Sequence, residues 1–235
     1  WEKEIDFDLE NHTTTYLDYE NDFKREKIID AFTAENVFLV LSITPDNKLK
    51  FTHFSNNGKN ENSIDLGTKN TENGNSIDNH LISAIFDFGL TKIDTDLFTP
   101  LYIATAKVKR YLKENTYVLS FDVKDETSLI SINLADFSFK KEQFPFEKFE
   151  KKSGSNSFLH QNILYQLTAN SEVLSLTGID LKTKKTIETY RVNSSTEIDF
   201  KNTPLLQQSE NGKTRELKNA AKFLSKIDFE NVGIS

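Results

Sequence analysis

The sequence predicts an all-β protein assembled from repeated four-stranded antiparallel units. Three observations predict it. A short pattern recurs around Asn36, Asn115 and Asn162. Each copy runs without a gap into an apolar, β-branched and aromatic stretch, and polar turn signals then follow at matching intervals.

Four residues before each Asn stands an aromatic, Phe32, Tyr111 or Phe158, and immediately before it stands Glu35, Glu114 or Gln161. The stretches that follow, VFLVLSI (37–43), TYVLSFD (116–122) and ILYQLTA (163–169), read as central strands. Turns come next: Pro45-Asp46-Asn47-Lys48, Lys124-Asp125-Glu126 and Asn170-Ser171-Glu172. A second strand follows each, KLKFTHF (48–54), SLISINL (128–134) and EVLSLTGI (172–179). A further turn then comes at 55–59, 135–137 and 182–185, and a third strand leaves it around Phe144–Phe146 and Thr186–Val192 in the last two copies. Upstream of the aromatics, Lys27–Ala31 and Thr105–Arg110 supply room for one more strand, which makes four per unit.

Four-stranded sheets repeated along a chain are the blades of a β-propeller. The stretch Ile179-Asp180-Leu181-Lys182-Thr183-Lys184-Lys185-Thr186 resembles the hydrophobic-Asp-x-x-Thr-Gly-Lys hairpin of WD40-like and quinoprotein-like blades, with Lys184 in place of the usual Gly. The Trp-Asp pair typical of WD40 repeats is absent. The resemblance implies an architecture, over about residues 24–193, and no functional family.

The expected organisation is one propeller-like domain or fragment over 1–235, with blade-like units at about 24–66, 104–147 and 153–193. Asn115 and Asn162 are one normal blade length apart, whereas Asn36 and Asn115 are separated by a larger step. The excess is assigned to a low-complexity insertion over 55–80 and to the following LISAIFDFGL, read as a strand or short helix. Near the end a helix is expected over about 214–227, with Thr214 as N-cap and Leu217, Ala220, Ala221, Leu224 and Ile227 as its apolar stripe. Three units do not close a ring, and Val232-Gly233-Ile234-Ser235 reads as a strand just starting. Together with the opening Trp1, this suggests a piece of a longer polypeptide.

Composition excludes several classes. There are 19 Phe and no Cys in 235 residues, which fits a globular core and rules out disulfides, thiolate metal sites and a cysteine nucleophile. The net charge of −7 lies within residues 1–35, which hold 11 acidic and 4 basic side chains; the remainder is neutral. A neutral body argues against nucleic acid as a partner, and no apolar run is long enough for a transmembrane helix. Lys140–Lys152 interleaves Lys140, Lys141, Lys148, Lys151 and Lys152 with Glu142, Glu147 and Glu150 and reads as a solvated loop rather than a phosphate site.

Candidate chemistry is sparse. Glu2, Glu4, Asp6, Asp8 and Glu10 alternate with apolar or basic neighbours, so that in a strand all five carboxylates share one face. A flat strand spaces such groups roughly 6.5–7 Å apart, which suits an aggregation-resistant edge better than a calcium site. Asp94-Thr95-Asp96 and Asp122/Asp125/Glu126 are read as turn acids, and His12, His53, His80 and His160 have no metal-ligand spacing. Asn11-His12-Thr13 and Asn193-Ser194-Ser195 match the glycosylation sequon, as expected by chance in an Asn-rich chain. No residue is assigned a catalytic, cofactor-binding or metal-ligating role, no cofactor is expected, and the binding residues are unknown.

The leading expectation is a non-catalytic module that presents loops to a protein or glycan in a bacterial cell envelope, secreted, periplasmic or at the surface, with the cytoplasm as the alternative. Two rivals are kept: a glycan hydrolase or lyase whose carboxylates converge at the propeller centre, and a structural segment of a larger surface protein.

Overall fold

The computed structural model describes residues 3–8, 13–18, 23–55, 58–65, 79–196, 198, 204, 206–208, 213–217, 219–228 and 231–234. The chain forms two compact units, Trp1–Ser83 and Ala84–Ser235.

In the first unit, β1 (Lys3–Asp8) and β2 (Thr13–Asp18) form an antiparallel pair, with Asp6 opposite Thr15. The carboxylate-bearing strand is thus paired along one edge; Glu2 and Glu10 lie outside the described residues. A four-stranded sheet follows, ordered β3 (Lys27–Ala34), β4 (Val37–Ile43), β5 (Leu49–Ser55), β6 (Gly58–Ile64). Leu39 to Ile43 are all buried because β4 is central and covered on both faces. Part of the stretch read as an insertion, 55–80, is this fourth strand: GKNENSI carries a single apolar residue, Ile64, and pairs through its backbone with the strong strand β5.

After β6 in the chain, LISAIFDFGL is helical as far as Phe88. Helix α1 (Asn79–Phe88) buries Leu81, Ile82, Ala84 and Ile85 and stops at Gly89, which adopts φ +74° and donates its N–H to Ile85 O at 3.0 Å, a left-handed glycine cap.

Among its described residues the second unit holds two large sheets and a two-stranded pair near the C-terminus. One is ordered β11 (Phe139–Pro145), β10 (Glu126–Asn133), β9 (Thr116–Val123), β8 (Val108–Lys113), β7 (Thr91–Ile93); the other is β12 (Gly154–His160), β13 (Ile163–Ala169), β14 (Val173–Asp180), β15 (Lys185–Asn193). Strand β7 is a fifth strand that the sequence did not suggest; it runs parallel to β8, with Thr91 opposite Lys109. Lys140, Lys141 and Glu142, read as part of a loop, belong to β11. A short helix, α2 (Leu101–Ala104), opens after Pro100 and leads into β8.

The repeated signature has a physical cause. Glu35-Asn36, Glu114-Asn115 and Gln161-Asn162 are the two-residue turns that join the first and second strands of each sheet, closed by the pairs Ala34↔Val37, Lys113↔Thr116 and His160↔Ile163. Glu35, Glu114 and Gln161 have φ of 49°, 49° and 53°, the left-handed conformation a tight hairpin demands. The carbonyls of Asn115 and Asn162 then accept from Leu134 and Leu181 at 2.8 and 2.9 Å, which anchors the turn after the third strand of each blade. The repeated aromatic meets its counterpart across the blades: the rings of Tyr111 and Phe158 lie 6.1 Å apart at 85°, inside a cluster with Ile93, Val118 and Leu159. The all-β, propeller-type architecture is therefore present in the strand pairing itself.

The C-terminal region departs from the expectation. Thr214–Glu216 is a strand, β17, paired with β16 (Leu206–Gln208), and Arg215 donates to Gln207 Oε1 at 2.9 and 2.7 Å across the pair. The helix, α3, covers only Ala220–Leu224, because Asn219 rather than Thr214 is the N-cap, its Oδ1 accepting from Lys222 N at 3.0 Å. So short a helix depends on packing. Ala220 and Leu224 bury against Val192 and Ile198, with Leu174 beside them. Val232–Ile234 is not a strand. Its Gly233 passes so close to Ala104 and Thr105 that a β-carbon would stand 2.9 Å from Thr105 N.

Candidate functional site

Three places in the second unit carry polar or unusual side chains. The first lies between its blades. Lys109 on β8 and Asp122 on β9 are fully buried and paired at 2.9 Å. Lys109 Nζ also donates to Asn156 Oδ1 at 3.0 Å. Asp122 accepts from Thr127 Oγ1 at 2.9 Å, from Ser157 Oγ at 2.6 Å and from Ser157 N at 2.8 Å. Asn156 Nδ2 donates to the carbonyls of Thr105 and Ala106, each at 3.1 Å. Gln166 extends the set, donating to Thr127 Oγ1 at 3.1 Å and to Phe144 O at 2.9 Å.

The charges of this network are met by partners on every side, so it fixes one blade against the next. It offers no group for chemistry. Nearby, burial and the Lys109 charge push the Lys107 ammonium down, against the pull of Asp122, while its Nζ donates to Ser155 O at 2.6 Å. Burial raises the Tyr111 phenol above its ordinary range, and its hydroxyl oxygen accepts from Leu159 N at 3.2 Å. Both are fixtures of the interface.

The second place is a cleft of about 390 Å³ beneath residues 146–153, the link from β11 to β12. Lys124 and Asp125 of the β9–β10 turn face Lys148, Lys151 and Lys152 there. Lys148 pairs with Asp125 at 3.2 Å, Lys151 pairs with Glu172, and Arg191 pairs with Glu147 at 2.7 Å while lying over the Phe149 ring. The link is thus stapled to three neighbouring elements by exposed ion pairs, each worth about 0–1 kcal/mol. Lys140 and Lys184 both pair with Glu142, whose carboxyl burial would raise but these lysines hold below its ordinary value.

The third place is the stretch 86–102. Among the described residues nine large hydrophobic side chains are exposed, and five of them, Phe86, Phe88, Leu97, Phe98 and Tyr102, fall within these seventeen positions. Leu97, Phe98 and Tyr102 are 68%, 81% and 79% exposed. The turn that presents Leu97 and Phe98 is set by Asp94, whose Oδ1 accepts from Asp96 N at 3.1 Å and whose carbonyl accepts from Leu97 N at 3.3 Å, while Tyr102 stands on α2. Thr99 is buried beneath it.

The residues singled out from the sequence scatter. Asp122 is in the buried network, Asp125 is on the cleft, and Glu126 accepts from Ser128 and Gln143. His53 bonds Asn62 across β5 and β6 at 2.8 Å, and burial lowers its imidazole. His160 is exposed at a strand end, and His12 lies outside the described residues. Asn193 Oδ1 accepts from Ser195 N and Oγ at 2.9 and 2.7 Å, an ordinary side-chain-stabilised turn. Among the described residues no three His, Asp or Glu side chains converge as metal ligands would. No helix there is long and apolar enough to cross a membrane. Phe86 and Phe88 lie in LISAIFDFGL, read from the sequence as a strand or short helix, whereas Leu97, Phe98 and Tyr102 were missed; Leu97-Phe98 between Asp96 and Thr99-Pro100 has neither helical nor strand periodicity, which is its one visible signal.

No protein-family model and no curated protein matches the chain. Among solved structures it is similar to a protein from Lactobacillus plantarum, with 11% identity and a TM-score of 0.34 over 93% of this chain and 64% of that one. It is also similar to the β-propeller domain of Nup133 from Vanderwaltozyma polyspora, with 11% identity and a TM-score of 0.32 over 87% of this chain and 59% of that one. The chain thus spans less than two thirds of either. The blade architecture stands on the strand register and turn geometry described above.

Proposed function

We propose that the protein is a non-catalytic binding module whose blades form a base for a protein-docking stretch, 86–102, which runs from the end of α1 through β7 into α2. The observation that carries this reading is the concentration of exposed Phe86, Phe88, Leu97, Phe98 and Tyr102 in one short stretch. Single exposed apolar residues are ordinary on a protein surface, but such clustering, with aromatic residues dominant, marks protein interfaces. The glycan hydrolase or lyase alternative needs one carboxylate free to act as an acid and another facing it. In the cleft Asp125 is paired with Lys148 and Glu147 with Arg191, so that Glu150 has no second unpaired carboxylate among the lining residues to face it, which favours the binding reading.

A photo-crosslinking side chain placed at position 98, and in a second protein at position 150 beside the cleft, tests the proposal in native cell extract. The expected result is a protein adduct of defined mass from position 98 and none from 150. Adducts from neither position, or from 150 alone, would overturn it.

A further inference from the structure

Resting on that reading of 86–102, we infer that the partner presents a cationic amphipathic segment, with apolar residues flanked by lysine or arginine. The apolar side chains are only half of what the stretch exposes. Asp87, Asp94 and Asp96 are exposed among them, against a single basic residue, Lys92. Among the described residues none of the three carboxylates takes part in an ion pair. Elsewhere in the same unit Asp125, Glu142, Glu147 and Glu172 each hold a lysine or arginine, and Glu126, Asp136 and Glu188 accept from hydroxyl or amide groups.

Charges left uncompensated beside exposed aromatics set the sign of the surface that fits there. Lysine or arginine at the rim would pair with Asp87, Asp94 and Asp96, while apolar side chains cover Phe98 and Tyr102. A second copy of this chain does not meet that requirement. A two-fold dimer apposes one patch with itself and would bring Asp94 and Asp96 against the same acids of the other copy, an arrangement like-charge repulsion opposes. An anionic surface, such as nucleic acid or an acidic membrane, is opposed for the same reason.

The test is fluorescence anisotropy on the full chain with a labelled fourteen-residue amphipathic peptide of Leu and Lys. Its comparators are the same peptide with Glu for every Lys and a non-amphipathic peptide of Lys and Ser. The proteins are wild type, Asp87→Asn/Asp94→Asn/Asp96→Asn and Phe98→Ser/Tyr102→Ser, each confirmed as folded by circular dichroism. The Leu/Lys peptide is expected to bind wild type at least tenfold more tightly than either comparator, to weaken as salt is raised, and to lose tenfold or more of its affinity in each variant. Equal affinity for the Leu/Lys and Leu/Glu peptides, or affinity lost in the Ser variant but kept in the Asn variant, overturns the cationic partner and leaves the docking stretch standing. Affinity indifferent to both variants shows attraction to the protein's overall negative charge and overturns the inference. Self-association by analytical ultracentrifugation that disappears in Phe98→Ser/Tyr102→Ser would assign the patch to a second copy and overturn it as well.

Discussion

Asp180 holds the last turn of its blade through its charge. Its Oδ1 accepts from Thr183 N at 2.7 Å and from Thr183 Oγ1 at 3.1 Å, and Lys184 N donates to Asp180 O at 2.8 Å. The backbone N–H of Thr183 is the main cause that holds the carboxyl below its ordinary value of 3.8. The ring of bonds carries Lys184 into the left-handed region at φ 61°, the position where glycine is usual in this hairpin. The preceding blade does the same with a neutral residue: Asn133 Oδ1 accepts from Ala135 N at 2.9 Å, and Phe137 stands at φ 56°. A carboxyl whose folded pKa is depressed adds stability above its unfolded pKa, and the contribution is lost as pH falls through the folded value. Asp180→Asn keeps the acceptor and removes the titration. Its melting temperature is therefore expected to fall less than that of wild type between about pH 5 and pH 2, measured by circular dichroism at both ends. Equal falls in the two proteins would show that the charge is not what holds the turn.

Between elements, the buried pair of Lys109 and Asp122 gives the joint between blades its specificity. The repeated aromatics and the Glu/Gln-Asn turns were legible in the sequence because tight hairpins and inter-blade packing constrain residue type at fixed spacing. The polar joint was not, since Lys109, Asp122, Asn156 and Ser157 come from three strands and resemble ordinary strand residues until the sheets are stacked. Removing one partner of a buried pair leaves the other uncompensated, at a cost of about 3–5 kcal/mol. Lys109→Met should thus lower the urea midpoint by that equivalent with little change in m, because Asp122 remains buried beside Ser157 and Thr127. Lys107→Met, which removes a partly buried ammonium held by one carbonyl, should cost about 1 kcal/mol. A comparable loss from both would mean that packing, and not the ion pair, secures the blades.

At the scale of the whole molecule, the proposed docking stretch assigns recognition to residues other than those that carry stability. The sheets and their order could be inferred because hydrophobic strands and their turns are a local property of the chain. Strands β6 and β7 escaped because their pairing partners, β5 and β8, supply what their own short or polar sequences lack. The helix near the C-terminus was placed too early because Asn219 competes with Thr214 for the cap, a choice that packing of Leu224 against Val192 resolves. The proposed docking stretch belongs to neither category: its exposed aromatics contribute little to folding, and Leu97 and Phe98 lie outside any helical or strand periodicity. Substitutions there should consequently separate the two properties. Phe98→Ser/Tyr102→Ser replaces side chains about four-fifths exposed, so its unfolding free energy should stay within about 0.5 kcal/mol of wild type in urea titration. Lys109→Met serves as the opposite control in the same assay. If the double variant were instead destabilised by several kcal/mol, Phe98 and Tyr102 would be core residues of the second unit, and 86–102 would lose its standing as a free surface.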